Sequence, residues 1–159
     1  MDDPGALSTL LAALDELAQV CPIVLPAHPR AADQLRSCGL SGQVRVIPPA
    51  GYLDFVALQA SARLVLTDSG GVQEETTVLG VPCLTLRDNT ERPITLTEGT
   101  NQLVGRDRER IVKTALSVLD TPPPRRCPAL WDGRAGERIA ATLLAGGRPA
   151  GHPRPTDLA

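Results

Sequence analysis

Aromatic residues are scarce in this chain: Tyr52, Phe55 and Trp131 are the three among 159. A binding surface must therefore be built mainly from backbone, aliphatic and polar groups. Lysine is scarcer still, and with Lys113 alone the chain excludes mechanisms that need more than one amine. Its 16 Lys+Arg are offset by 18 Asp+Glu, so the chain has no basic excess of the kind a dedicated nucleic-acid binder shows. Two histidines and four cysteines with no Cys-x-x-Cys pair provide neither a zinc framework nor a compact disulfide scaffold. Cys21, Cys38, Cys83 and Cys127 are expected to be reduced and largely buried. No apolar run approaches the roughly 20 residues needed to span a bilayer. The opening Met1-Asp2-Asp3-Pro4 is acidic where a secretory signal would be basic. These absences point to a soluble, cytoplasmic domain with no membrane or nucleic-acid partner.

What is present is an alternation. Leu7, Leu10, Leu11, Leu14 and Leu17 recur at helical spacing, with Ser8 or Thr9 expected to cap the start. Ile23-Val24-Leu25, Val44-Arg45-Val46-Ile47, Leu64-Val65-Leu66-Thr67, Cys83-Leu84-Thr85-Leu86 and Gln102-Leu103-Val104 read as short buried strands. Helices are expected between them, over about 30–38, 52–61 and 70–79, then from Asp107 as a cap to about 119. Short strands alternating with helices mean β-α-β units. Right-handed crossovers then make a Rossmann-like, doubly wound parallel sheet of the α/β class. Thr121-Pro122-Pro123-Pro124 is a stiff connector, and a last helix is expected over about 134–145. The domain is thus expected to occupy 1–145, with a disordered Gly/Pro/Arg-rich tail over 146–159.

The segment richest in chemistry is Thr67-Asp68-Ser69-Gly70-Gly71-Val72-Gln73-Glu74-Glu75. A buried strand runs through two glycines directly into a helix. Glycines allow a sharp turn and a close approach of an anion, and a helix N-terminus offers unpaired N–H groups to phosphate. Ser69 adds a hydroxyl. The plainer alternative is a tight turn in which Ser69 or Asp68 is an ordinary cap. Glu74 and Glu75 are read as first-turn acids that suit the helix dipole. Adjacent helical positions diverge by about 100°, so at most one of them faces a ligand. The polar loop Asp88-Asn89-Thr90-Glu91-Arg92-Pro93 leaves the next strand at the same edge. Arg92 there can reach a phosphate or clamp a carboxylate. His28, after the first strand, and Phe55, opening the third helix, each have a structural reading beside a ligand-contacting one.

Taken together these blocks resemble a known family. The nine residues Thr67 to Glu75, then Gly80-Val81-Pro82, then Leu86 to Pro93, Gly99-Thr100 and Leu103-Val104-Gly105 resemble, in order and spacing, the non-hydrolysing UDP-N-acetylglucosamine 2-epimerases. His28-Pro29, the Tyr52/Phe55 segment and Asp132-Gly133 fit the same pattern, so the resemblance covers about 4–145. It implies the C-terminal half of a GT-B-type fold of two Rossmann-like domains, with UDP in the cleft between them. By position it makes Ser69, Gly70 and Gly71 the diphosphate turn, Glu75 the acceptor of ribose hydroxyls and Phe55 a uracil contact. Arg92 matches an active-site arginine near the phosphates, and His28 a residue of a regulatory UDP-GlcNAc site in bacterial members. The family chemistry eliminates UDP to give a 2-acetamidoglucal and adds it back after proton exchange at C2, with no metal and no cofactor. A homodimer is compatible with the resemblance.

The chain also departs from the family. Members are more than twice as long, and their N-terminal domain, with its Gly-Thr-Arg-Pro-Glu opening and the catalytic carboxylates, has no counterpart here. The Thr-x-His-Arg-Arg-Glu-Asn segment is likewise absent. Ile94-Thr95-Leu96-Thr97-Glu98 differs from the Glu-Ala or Glu-Gly that many members carry after the Arg-Pro pair. The resemblance therefore implies a UDP-binding half that is inactive without an N-terminal partner, in cis or trans. The competing expectation is a stand-alone, non-catalytic UDP-sugar-binding module.

Overall fold

In the computed structural model, which describes residues 4–28, 35, 40 and 43–145, helix α1 spans Pro4–Ala18. Leu11, Leu14 and Leu17 are buried along one stripe, as their spacing requires. Ser8 and Thr9 do not cap this helix. The first turn already begins at Pro4, where a proline's fixed φ suits the start of a helix, and the Thr9 hydroxyl donates back to the Gly5 carbonyl (3.0 Å).

Strands β1 (Ile23–Pro26) and β2 (Val44–Ile47) pair in parallel, Ile23 opposite Val44. Of the helix expected over about 30–38, Leu35 is helical and buried, and the rest lies outside the described residues. Helix α2 (Tyr52–Ser61) leads to β3 (Val65–Thr67), and α3 (Gly70–Leu79) to β4 (Cys83–Thr85). A short α4 (Ile94–Thr97), β5 (Asn101–Leu103) and α5 (Arg108–Asp120) follow. The strands form two hydrogen-bonded groups, β1–β2 and β3–β4–β5, every pairing parallel. The two groups share core neighbours, since Ile23 and Leu66 pack against both apolar clusters.

Alternation along β4 shows that its sheet is covered on both faces. Leu84 is fully buried with Ala13 and Leu17 of α1 and with Ile111, Val112, Ala115 and Val118 of α5. Its neighbours Cys83 and Thr85 must point to the opposite face, where the Cys83 thiol meets Thr76 of α3. Burial pushes that thiol up to about 11, leaving it protonated and unreactive at neutral pH. This is the α/β arrangement expected from the sequence, a parallel sheet between helical layers.

Helix α5 begins on Asp107, whose carboxylate accepts from the Arg110 N–H (2.8 Å), as a cap should. The described chain divides into two compact units, one ending at Pro128 and one starting at Ala129. The second unit carries α6 (Ala135–Leu144). From within that helix, Arg138 donates back to both Asp132 oxygens (3.0 Å each) and to the Leu130 carbonyl (2.7 Å). Together with the Arg134 N–H, this holds the Asp132 carboxyl down at about 2. The tail over 146–159 lies outside the described residues. The described cysteines are less uniformly buried than expected: Cys83 is buried, Cys21 half-buried and Cys127 exposed, because Cys127 follows the proline connector along the surface, while Cys38 lies outside the described residues. Among the described residues, no helix is long and apolar enough to cross a membrane.

Candidate functional site

Because β3, β4 and β5 run parallel in register, Thr67, Thr85 and Leu103 line up at their C-terminal ends. The segments that follow must emerge along one edge, and these are the Gly-Gly turn, the Asp88–Pro93 loop and the turn at Gly105.

At that edge the Gly-Gly turn opens α3 without a side-chain cap. Ser69 is the N-cap residue of α3 in extended geometry, φ −85° and ψ 127°, yet its side chain makes no capping bond. The plainer reading of Ser69 as an ordinary cap is therefore overturned; Asp107, on α5, shows what such a cap looks like. The first bond within α3 runs from Gln73 N–H to the Ser69 carbonyl (3.2 Å). The amides of Gly70, Gly71 and Val72 have no carbonyl to meet within the helix.

Neither glycine is demanded by the fold. A Cβ on Gly70 would come no nearer than 3.7 Å to the Arg92 side chain, and one on Gly71 no nearer than 3.9 Å to the Ser69 hydroxyl. Both are ordinary van der Waals contacts, and neither residue has a positive φ. Two glycines in a helix cost about 1 kcal/mol each relative to alanine, and neither sterics nor φ requires them here.

The loop brings Arg92 across this turn. Its Nε forms an ion pair with Glu74 at 2.9 Å. Both side chains are about two-fifths exposed, so the pair orients Arg92 rather than stabilising the fold, a role worth about 0–1 kcal/mol. Glu75 points elsewhere and accepts from Gln59 Nε2 of α2 at 2.6 Å. The divergence expected of adjacent helical positions is thus observed. Both glutamates, however, lie in the second turn of α3 rather than the first, since the helix begins at Gly70. Phe55 is half-buried one turn before Gln59 on α2, on the helix that holds Glu75. Ser69, Gly70, Gly71 and Arg92 therefore meet at the start of α3, while Glu75 lies in its second turn against Gln59 of α2, the helix that also carries Phe55. His28 stands exposed two residues beyond β1, in the other group of strands.

A further set of residues escaped the sequence reading. Gln73, Thr85 and Thr95 are fully buried and Asn101 almost so. The Thr85 hydroxyl donates to Asn101 Oδ1 (2.7 Å), and Asn101 Nδ2 donates to Thr95 Oγ1 (3.1 Å) and Gln73 Oε1 (3.3 Å). Thr90 Oγ1 also donates to Gln73 Oε1 (2.6 Å). Gln59 is another buried amide, and its Oε1 finds no partner among the described residues. Polar residues at inward-facing helix positions were the available signal: Gln59 lies four residues after Phe55, and Gln73 three after Gly70. Among the described residues no cluster of three His, Cys, Asp or Glu is placed to hold a metal ion.

Comparison with known proteins adds to this geometry. A family model described as UDP-N-acetylglucosamine 2-epimerase matches residues 1–144. The UDP-N-acetylglucosamine 2-epimerase of Methanocaldococcus jannaschii is 38% identical over 154 residues, covering 92% of this chain and 42% of that protein. The UDP-2,3-diacetamido-2,3-dideoxy-D-glucuronate 2-epimerase of Pseudomonas aeruginosa is 43% identical over 143 residues, 89% of this chain and 40% of that one. The crystal structure of the Methanocaldococcus jannaschii enzyme in complex with UDP-GlcNAc and UDP matches with a TM-score of 0.77 at 37% identity, covering 92% and 42% of the two chains. The chain spans about two fifths of the length of the curated relatives it matches.

Proposed function

The chain belongs to the UDP-N-acetylglucosamine 2-epimerase family, and on that premise we propose that it forms the UDP-holding half of a nucleotide-sugar 2-epimerase. The observation that carries this reading is the pair of glycines at the start of α3 that the fold itself does not need. In this assignment the amides of Gly70 and Gly71 and the Ser69 hydroxyl receive the diphosphate, helped by the positive end of the helix dipole. Arg92 adds a fixed cation beside them. Glu75, held by Gln59, accepts the ribose hydroxyls one turn further along, and Phe55 flanks the uracil.

In the reaction that the family resemblance implies, UDP leaves and returns while C2 is inverted, converting UDP-GlcNAc to UDP-ManNAc. Negative charge then grows on the diphosphate as the sugar–oxygen bond breaks. Donors already aimed at it lower that barrier without rearrangement. The proton at C2 needs a general acid and base. The family resemblance implies that the carboxylates for that role lie on an N-terminal domain, and in this reading a segment carrying them supplies it. The sugar is less constrained than the nucleotide, since a relative at 43% identity is named for a diacetamido uronate. UDP is the common element.

The test is in two steps. Calorimetry of the chain with UDP should show saturable binding that Gly70→Val abolishes; no binding by the unsubstituted chain sinks the proposal. Mixing the chain with a separately expressed N-terminal half of a relative should yield epimerisation that neither component shows alone. UDP binding without rescued turnover would instead favour a non-catalytic binding module.

A further inference from the structure

Arg92 is held at both of its backbone polar atoms by threonine hydroxyls. Its N–H donates to Thr90 Oγ1 (3.0 Å), and its carbonyl accepts from Thr95 Oγ1 (2.7 Å). A hydroxyl has one proton to give, and here each proton is assigned. Thr90 donates to Gln73 Oε1 (2.6 Å), so only its lone pairs remain for the Arg92 N–H. Thr95 gives its proton to the Arg92 carbonyl, so a lone pair receives Asn101 Nδ2 (3.1 Å). Asn101 closes the loop by donating to the same Gln73 Oε1 (3.3 Å).

Each hydrogen bond is therefore fixed in direction: one arm runs from the Arg92 N–H through Thr90 to Gln73 Oε1, and in the other Asn101 donates both to Gln73 Oε1 and to Thr95, which donates to the Arg92 carbonyl. Gln73 is itself part of the candidate phosphate turn, since its N–H bonds the Ser69 carbonyl (3.2 Å). The network thus ties the two halves of the site together, α3 on one side and the Arg92 loop on the other. Gln73, Thr95 and Asn101 are buried and Thr90 is half-buried, so a mismatched member would leave a polar group of the buried amides unpaired. Gln73 Nε2 is already buried without a partner among the described residues, an uncommon cost for a group whose role is to hold the turn and the loop in register.

We infer that Gln73, Thr90, Thr95 and Asn101 are positioning residues that set Arg92 at its distance from the Gly70 turn, and that diphosphate affinity depends on them through Arg92. This rests on the reading that the turn binds UDP. It adds that the guanidinium is placed by a buried amide–hydroxyl clamp rather than by the exposed Glu74 pair alone.

A double-mutant cycle on the full chain tests it, with UDP as probe and calorimetry as readout. Thr90→Val removes the hydroxyl at nearly constant volume and should weaken UDP binding at least about fivefold, a coupling typical of residues in one network. Thr90→Ser should stay within about twofold of the parent, because it restores the same donor and acceptor. In an Arg92→Ala background, Thr90→Val should have no further effect, since the group it positions is gone. If Thr90→Val fails to fold, Thr90→Ala carries the same comparison. An equal loss in both backgrounds would mean general structural damage and overturn the inference. UDP binding that responds to Arg92→Ala but not to Thr90→Val would overturn it while leaving the functional reading intact. Absence of UDP binding by the unsubstituted chain would overturn both.

Discussion

Helix α3 carries glycine at both ends, and the two ends differ in why. At the C-terminal end Gly80 has φ 67° and ψ 28°, and its N–H closes on the carbonyls of Thr76 and Thr77. A Cβ there would sit 2.9 Å from Arg125 Cδ. The left-handed cap is the ordinary way a helix stops, and only glycine adopts it without strain. At the N-terminal end Gly70 and Gly71 have neither a positive φ nor a close neighbour. One end uses glycine to satisfy the chain, and the other leaves room that the chain does not fill. The second kind is what the proposed diphosphate site rests on, since the unfilled room is where the proposal puts the ligand.

Substitutions that exchange these two behaviours would break the comparison. The largest expected effect is from Gly70→Val, which should reduce UDP affinity by at least about 100-fold while leaving unfolding free energy within about 1 kcal/mol, as replacing a helical glycine costs little. Calorimetry and urea unfolding on the same sample read the two quantities. A protein that unfolds without losing affinity would reverse the assignment of that end. Gly80→Ala should do the opposite, destabilising by about 1–2 kcal/mol through the left-handed φ and leaving UDP affinity of the folded fraction unchanged.

Ser69→Ala sharpens the contrast further. Because Ser69 makes no capping bond, removing its hydroxyl should leave stability nearly unchanged, whereas a true N-cap loses about 1 kcal/mol. UDP affinity should fall by about 1 kcal/mol, or roughly fivefold, for one lost hydrogen bond. The matching control is Asp107→Ala, which removes a real cap and should lower stability without touching UDP. The smallest effect concerns the unit from Ala129 on. Asp132 is held at about 2 by Arg138 and the Arg134 N–H. A carboxyl depressed in the folded state contributes stability above its unfolded value of about 3.9, and loses that contribution as pH falls through about 2. Arg138→Ala should bring the Asp132 titration, followed by NMR, back toward the ordinary range with UDP affinity unmoved.

Much of this was legible in the sequence because it is local. Glycine followed by glycine after an apolar strand, Asp107 before an apolar-periodic run, and Gly80 after another each act within a few residues. The Thr9 error was local as well: a proline three residues from the start set the helix earlier than a hydroxyl preference suggested. What the sequence hid was long-range. Gln59 and Glu75 are 16 residues apart, Gln73 and Asn101 28. An amide in a helical run has no pattern of its own until the fold decides which face is buried.

By itself, then, the sequence determined the strand–helix alternation, the open helix start at Ser69-Gly70-Gly71 and, through its motifs, the family. Those follow from backbone sterics and from hydrophobic period, which neighbours along the chain are enough to specify. Only the tertiary structure decided that Ser69 does not cap, that Glu74 turns to Arg92 while Glu75 turns to Gln59, and that Arg92 is clamped from beneath by two threonines. Those outcomes depend on which buried donors meet which acceptors when the parallel strands bring their ends to one edge, and hydrogen-bond partners across that edge are chosen by position in space rather than by order in the chain.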